Sequence, residues 1–296
     1  MAKALRPVLR FAPSPNGELH LGHAYSALFA YDMAQRLGGR FLLRIEDIDQ
    51  GRARAHFETQ IRDDLNWLGL QWEEPVRRQS EHYDTYRTAA GQLDDLGLLY
   101  PCFASRKDIM ADNERRGDTR QDPDGAPFYG GLHRSLTADE VSGRKAKGEP
   151  FALRLDMNKA IKVARARMPW PLTFDDQTAD PQQRCHVTNP ADWGDVVIVR
   201  KDTPTSYHLS VVVDDALQGI THVTRGMDLF RATDIHRLLQ VLLALPEPFY
   251  GHHQLITGDH GRKLAKSAQD MSLASMRNDR LTPKDIRALI GMEIGG

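Results

Sequence analysis

The stretch Arg10-Phe-Ala-Pro-Ser14-Pro-Asn-Gly17-Glu-Leu-His20-Leu-Gly22-His23 joins a short apolar strand pattern, residues 7–13, to a helix pattern running from about Gly22 to Leu37. A strand that delivers the chain to a helix N-terminus presents unpaired N–H groups and the positive end of the helix dipole, a combination that favours phosphate. Gly22 lets a ligand approach the backbone closely. His20 and His23 offer donors to phosphoryl oxygens as charge moves in a transition state. Taken alone, the same residues also describe an ordinary strand-to-helix turn.

Outward from this turn, Gly38-Gly39 stops the helix, Phe41–Ile45 reads as a second strand, Ala55–Leu68 as a second helix closed by Gly69, and Tyr86–Leu98 as a third. Such alternation signals a parallel α/β sheet with crossover helices. It breaks at about residue 101. Residues 105–150 are polar and weakly periodic, and residues 151–175 read as short strands. Strand patterns return at Asp195–Arg200, Tyr207–Val213 and Ile220–Thr224, followed by a helix over Thr233–Leu245 and a strand around Phe249–Ile256. A last helix is marked by Thr282 as N-cap, Pro283 at the first position and Asp285 at the capping-box position. The expected organisation is an α/β domain whose halves, 1–100 and 188–296, flank an insertion over 101–187, with a short helical C-terminus.

The chain has 296 residues, 41% apolar and 27% charged, with a formal net charge of −1. This is ordinary for a soluble globular protein, and a local basic face remains compatible with RNA binding. The two cysteines, Cys102 and Cys185, do not make a disulfide framework, which fits a reducing cytoplasm. Residues 1–10 lack the apolar core of a signal peptide, and Leu238–Leu245 is far short of a membrane span, so no membrane association is expected.

A second basic motif, Gly261-Arg-Lys263-Leu-Ala-Lys266-Ser267, suits a loop closing on a triphosphate, although by itself it also describes a solvated surface. The pair of motifs carries a family resemblance. His20-Leu-Gly-His23 resembles the HIGH signature of class I aminoacyl-tRNA synthetases, and Lys263-Leu-Ala-Lys-Ser267 resembles their KMSKS loop. Arg10-Phe-Ala-Pro-Ser-Pro-x-Gly, Arg44-Ile-Glu46-Asp47-Ile-Asp49, Tyr207–Asp215 and Thr221–Asp228 resemble glutamyl-tRNA synthetase blocks, so that the resemblance covers residues 9 to about 290. It implies a Rossmann-like sheet and ATP with Mg2+ as cosubstrate. It also implies His20, His23, Lys263 and Lys266 as catalytic residues, and Gly22 and Ser267 joining them on ATP. A glutamate site would comprise Arg10, Ala12, Ser14, Glu46, Tyr207 and Arg225. A dicarboxylic amino acid needs cations for two carboxylates and an anion for its ammonium. Arg10 and Arg225 suit the first and Glu46 the second, with the Tyr207 hydroxyl close by. Structural alternatives are that Glu46, Asp47 and Asp49 cap the following helix and that Arg225 pairs with Asp214 or Asp228.

Only 29 residues follow Ser267, so no anticodon-binding domain is expected. Arg225-Gly-Met-Asp-Leu229 and Val211-Val-Val-Asp-Asp-Ala216 resemble the truncated glutamyl-queuosine tRNA(Asp) synthetase family. That resemblance implies tRNA-independent activation of L-glutamate, transfer to the queuosine base of tRNA(Asp), and a monomer. The alternatives are charging of a tRNA 3′ end, activation of glutamine, or a non-catalytic amino-acid sensor. Zinc in this family is held by cysteines of the insertion. Here Ala104 stands where a second cysteine would, and His133 where a later one would, which leaves Cys102, Tyr129 and His133 and makes zinc unexpected. Arg106-Lys107, Arg115-Arg116, Arg134 and Lys162–Arg167 are candidate RNA contacts. As a strand, the last run places Arg165 and Arg167 on one face and Lys162 on the other.

Overall fold

The computed structural model describes residues 6–256 and 271–292. The N-terminal apolar run forms β1 (Val8–Phe11), buried at all four positions, as the centre of a parallel sheet covered on both faces requires. It is followed by α1 (Leu21–Arg36), β2 (Arg40–Ile45), α2 (Ala55–Trp67), β3 (Glu73–Arg78) and α3 (Tyr83–Asp95). The strands β1, β2 and β3 run parallel, Leu9 lying opposite Phe41 and Arg44 opposite Arg77. The turn into β2 grazes the start of β1, where a Cβ on Gly39 would stand 2.7 Å from the Pro7 carbonyl oxygen.

The chain continues through β4 (Leu99–Cys102), α4 (Arg106–Arg116), α5 (Ala138–Ala146), β5 (Ala152–Leu155), α6 (Met157–Arg167), β6 (Thr173–Asp175), β7 (Cys185–Val187) and β8 (Val197–Val199). It ends in α7 (Tyr207–Leu217), β9 (His222–Gly226), α8 (Ala232–Leu242), β10 (Phe249–His253), α9 (Leu273–Asn278) and α10 (Pro283–Leu289). An antiparallel sheet of order β4-β5-β8 and a β6–β7 hairpin stand beside the parallel strands.

β9 and β10 pair in parallel. β9 lies alongside β1, the Thr221 amide donating to the Val8 carbonyl at 3.0 Å and the Val8 amide to Thr221 Oγ1 at 2.8 Å. Strand order therefore runs outward in both directions from the β1–β9 boundary. In an open α/β sheet, the reversal leaves a crevice beyond the C-terminal strand ends, where ligands bind.

Three sequence expectations are corrected. Tyr207–Val213 is not a strand but the start of α7, whose Leu209 to Asp215 are all buried. A β-branched run buried all round carries no period, so its strand propensity yields to packing. Within 151–175, residues Met157–Arg167 form α6, started by Asp156 Oδ1 accepting the Lys159 amide at 3.1 Å. The weakly periodic 105–150 holds α4 and α5, each opened by a capping box, Ser105 with Asp108 and Thr137 with Glu140. The expected capping box of Thr282 and Asp285 opens α10.

One core cluster joins α3, α6, α7 and α8 through Tyr86, Leu93, Ala160, Ala164, Val212, Leu238 and Leu239. A second joins β1, α1, β2 and α2 to α9 and α10 through Leu9, Leu28, Leu43, Ile61, Leu273 and Ile286. No described helix is long and apolar enough to cross a membrane.

Candidate active site

The crevice at the β1–β9 boundary is a cleft of about 800 Å³. Arg10, Ala12, Ser14, His20, Gly22, His23, Glu46, Tyr207 and Arg225 all line it. Lys263, Lys266 and Ser267 lie outside the described residues.

His20 is the N-cap of α1 and His23 its third residue, and they cap reciprocally. His20 Nδ1 accepts the Gly22 amide at 3.1 Å, and His23 Nδ1 accepts the His20 amide at 3.2 Å. Burial, assisted by His20, lowers the pKa of His23 to about 4, so its ring is neutral near pH 7. An imidazole that accepts through Nδ1 carries its proton on Nε2. Both rings thus present Nε2–H as donor beside the helix N-terminus. Gly22 leaves the His20 ring undisturbed in this geometry, whereas a Cβ there would stand 3.0 Å from His20 Cε1 and press on it.

Behind the cleft lies a buried ionic network. Arg10 is 7% exposed. Its Nε and one terminal nitrogen grip the Asp215 carboxylate at 2.9 and 3.3 Å, and the other reaches the Thr224 carbonyl at 3.2 Å. Arg44 bonds Asp215 at 2.7 Å and Glu46 at 2.9 Å. Asp214 accepts from Arg77 at 2.7 Å, and from Gln79 and Tyr86 at 2.8 Å each. Burial alone would raise the carboxyl pKa of Asp215, but Arg10 and Arg44 hold it below its ordinary value. Burial wins at Glu46, which is raised despite Arg44. Three guanidinium groups, on Arg10, Arg44 and Arg77, thus face three carboxylates, on Glu46, Asp214 and Asp215.

Arg225 stands outside that balance. It is 6% exposed, and its guanidinium donates to His252 Nε2 at 3.2 Å, to His236 Nδ1 at 3.0 Å and to Thr233 Oγ1. His252 Nδ1 donates in turn to Asp176 at 2.7 Å, and His236 Nε2 to His208 Nδ1 at 3.3 Å. One tautomer assignment satisfies the whole chain with neutral rings. Burial lowers His252 and His208 to about 4 and His236 well below its ordinary value. Arg225 therefore makes no ion pair with a carboxylate among the described residues. Neither structural alternative read from the sequence holds. Asp214 belongs to Arg77, and neither Asp214 nor Asp228 touches Arg225. α2 receives no side-chain cap, since Asp47 binds Ser80 instead.

Other expected contacts are already committed. Arg167 caps the C-terminus of α8, reaching the Leu242 carbonyl at 2.6 Å, and Arg165 lies 4.8 Å over the Trp170 ring, so the two-faced strand read for Lys162–Arg167 does not exist. Arg134 binds Asp195 at 2.6 Å, and Arg115 and Arg116 bind Asp112 at 3.0 and 2.9 Å. Cys102, Tyr129 and His133 do meet: Cys102 Sγ lies 3.2 Å from the Tyr129 hydroxyl, which also accepts the His133 amide at 3.0 Å. His133 Nδ1 accepts the Phe103 amide at 3.1 Å. Three donors already bonded to one another and to backbone, with Ala104 in the fourth place, do not fit a tetrahedral structural zinc.

Sequence reasoning missed Thr233, His236 and His252 as partners of Arg225, Asp176 and His208 as the partners of those histidines, and Asp214 and Asp215 as partners of the other arginines. With Tyr207–Asp215 read as a helix, Tyr207 and Asp214 fall on one face, seven residues apart; that period was the available signal. The histidines of β10 and α8 carry no local signal.

Residues 8–290 match the family described as tRNA synthetases class I (E and Q), catalytic domain. The chain is 45% identical to the Glutamyl-Q tRNA(Asp) synthetase of Rhodobacter capsulatus over 293 residues, 96% of this chain and 100% of that protein. It is 39% identical to the Glutamate–tRNA ligase of Aquifex aeolicus, covering 93% of this chain and 54% of that one. It superimposes on a glutamate tRNA ligase from Elizabethkingia meningosepticum, solved in complex with its amino acid, with TM-score 0.73 and 29% identity, over 90% of this chain and 53% of that one. It thus spans about half of each of these ligases. The family match runs from β1 past the end of α10, and the chain belongs to the class I tRNA synthetases for glutamate and glutamine, as an enzyme of that ligase family.

Proposed function

We propose that the enzyme activates L-glutamate with ATP in the absence of tRNA and then transfers the glutamyl group to the queuosine base of tRNA(Asp), acting as a cytoplasmic monomer. The observation that carries the choice of glutamate is Arg225, a buried cation lining the cleft whose hydrogen-bond partners among the described residues are all neutral. A substrate carboxylate supplies the missing anion. Tyr207, Ala12 and Ser14 complete that wall, Arg10 adds positive potential beside Asp215, and Glu46 receives the substrate ammonium. The Rhodobacter capsulatus and Symbiobacterium thermophilum relatives, 45% and 40% identical, both bear the name Glutamyl-Q tRNA(Asp) synthetase, which supports the acceptor.

In the first step an α-carboxylate oxygen of glutamate attacks the α-phosphorus of ATP. A P–O bond forms, the bond to the bridging oxygen breaks, and pyrophosphate leaves. His20 and His23 donate Nε2–H to phosphate oxygens, His23 as a ring that burial keeps neutral, and the N–H groups of α1 add to that field. Lys263, Lys266 and Ser267 belong to the same phosphate-binding set by sequence. Magnesium, carried by phosphate oxygens, supplies charge neutralisation. In the second step an acceptor hydroxyl oxygen attacks the glutamyl carbonyl carbon. An ester forms, AMP departs, and the hydroxyl proton goes to the departing phosphate. Residues 101–187 form the acceptor-side insertion between the catalytic halves 1–100 and 188–296.

The test is glutamate-dependent ATP–pyrophosphate exchange without RNA, followed by transfer of labelled glutamate to tRNA(Asp) with and without queuosine. Exchange without RNA and transfer only to the queuosine form support the proposal. Exchange that requires tRNA(Glu), with charging of its 3′ end, refutes it in favour of a glutamate–tRNA ligase activity. Absence of exchange refutes both.

A further inference from the structure

Six residues are too few for a helix to hold itself together, so α9 (Leu273–Asn278) lies where its contacts put it. Those contacts lead to the turn that carries His20. The Leu273 amide donates to the Leu19 carbonyl at 2.8 Å, and Ser272 forms an antiparallel bridge with His20. His20 can enter that bridge because its backbone is extended, with φ −125° and ψ −179°. Its backbone is thus shared: α1 uses it as N-cap, and the chain entering α9 pairs with it. Leu273 and Met276 also enter the same core as Ile61 and Leu65 of α2.

An ion pair, Arg277 Nη1 to Asp64 Oδ1 at 3.3 Å, ties α9 to α2. Asp64 is 1% exposed, and neither carboxylate oxygen has a hydrogen bond among the described residues. Burial raises its pKa to about 6 against the pull of Arg277, and Glu18 and Asp63 add to the rise. Gln60, one turn earlier on α2, donates to Glu18, two residues before His20, at 3.1 Å. A buried carboxylate facing one countercharge is costly, and removing such a pair altogether is often neutral for stability. What the pair contributes is a fixed position, that of α9 against α2.

We propose that Asp64 and Arg277 are positioning residues for His20, holding α9 where its backbone contacts fix the Leu19–His20 turn. The inference rests on the role given to His20 in the function proposed above, and deepens it. Neither Asp64 nor Arg277 lines the cleft, so each acts through the turn. A turn that shifts carries the His20 Nε2–H away from the phosphate oxygens, and displacements near 1 Å can cost about 10²-fold in rate. Arg225, on β9, is untouched, so binding of the amino acid is unchanged.

The experiment measures RNA-free ATP–pyrophosphate exchange and melting temperature on the full chain. Wild type is compared with Asp64→Asn, Arg277→Ala, their double variant and Arg277→Lys. Expected in both single variants, Asp64→Asn and Arg277→Ala, is a kcat at least about tenfold lower. KM for glutamate should stay within about twofold, and the melting temperature within about 3 °C. The double variant falls no further than the weaker single variant, because both break one contact. Arg277→Lys keeps the charge, and the pair has no two-pronged hydrogen bond to lose, so kcat stays within about threefold of wild type. Wild-type kcat in both single variants overturns the inference. So does a rise in KM for glutamate in place of the fall in kcat, or a fall in kcat that in both accompanies a larger loss of melting temperature. If Arg277→Ala alone is destabilised, Asp64→Asn, of nearly the same size as the native residue, decides. Wild-type enzyme without exchange refutes the proposed function itself, whereas every other adverse outcome touches only the positioning role.

Discussion

A buried guanidinium without an anion is costly to fold around, and among the described residues Arg225 is held in that state by three acceptors that are all neutral. Arg225→Gln is expected to lower kcat/KM for glutamate in exchange by about 10²-fold, the upper end for a charge-assisted bond. Thermal stability should fall by less than about 1 kcal/mol, because the mutation also removes an uncompensated charge. Asp215→Asn is the contrasting case. It strips Arg10 and Arg44 of a shared carboxylate and should destabilise by about 3–5 kcal/mol in denaturant titrations. Acid has a related effect through the histidines. His23, His208 and His252 have folded pKa values of about 4, against about 6.5 when unfolded. The unfolded chain therefore binds more protons between these values, so stability declines as pH falls from about 6.5 to about 4. The slope is about 1.4 kcal/mol per pH unit for each group mid-window. Urea midpoints at pH 7, 6 and 5 measure this; a constant midpoint would show that the rings are not buried neutral.

Helix α1 places His20 and His23 through its own cap, so under the proposed function one element serves both local folding and chemistry. His20→Asn keeps a good N-cap residue while removing the Nε2–H donor. Exchange should fall at least about tenfold with the melting temperature shifted by no more than the few degrees that about 1 kcal/mol represents. Gly22→Ala acts differently. Its Cβ would press on the His20 ring at 3.0 Å, so both the cap, worth about 1 kcal/mol, and activity should be lost together. A variant with full exchange would remove His20 from the proposed chemistry. α7 shows what a helix gains from burial on every side: Val211, Val212 and Val213 take the helical state against their strand preference. Asp214 and Asp215 near its C-terminus oppose the helix dipole, and Arg10, Arg44 and Arg77 compensate them.

Across the whole molecule, the β6–β7 hairpin region is tied to the cleft residue Arg225 through Asp176 and His252. The Asp176 carboxylate fixes the tautomer of His252 on β10, and His252 in turn accepts from Arg225 on β9. Asp176→Asn should leave the His252 proton free to move to Nε2, where it opposes the Arg225 donor. The expected result is KM for glutamate raised about five- to twentyfold with kcat within about twofold, the pattern of lost ground-state and transition-state binding in equal measure. A fall in kcat with KM unchanged would contradict that role.

The amino-acid sequence by itself determined the β1–α1–β2 alternation, the turn that carries His20, Gly22 and His23, and the capping box at Thr282 and Asp285, which rest on signals a few residues long: periodicity, caps and glycine at a close approach. The set Arg10, Glu46, Tyr207 and Arg225 was legible only through the family resemblance, and all four line one cleft. Only the tertiary structure decided which carboxylate faces which arginine. Arg10 and Asp215 are 205 positions apart, and Arg44 and Asp215 are 171 apart. It also turned Tyr207–Leu217 and Met157–Arg167 into helices, sent Arg167 to cap α8, and left Arg225 without an anion among the described residues. Burial is the common physical reason. In a low-dielectric interior, a charge is set by whatever packs against it, and a β-branched run takes the conformation that fills its space; neither is written in neighbouring residues.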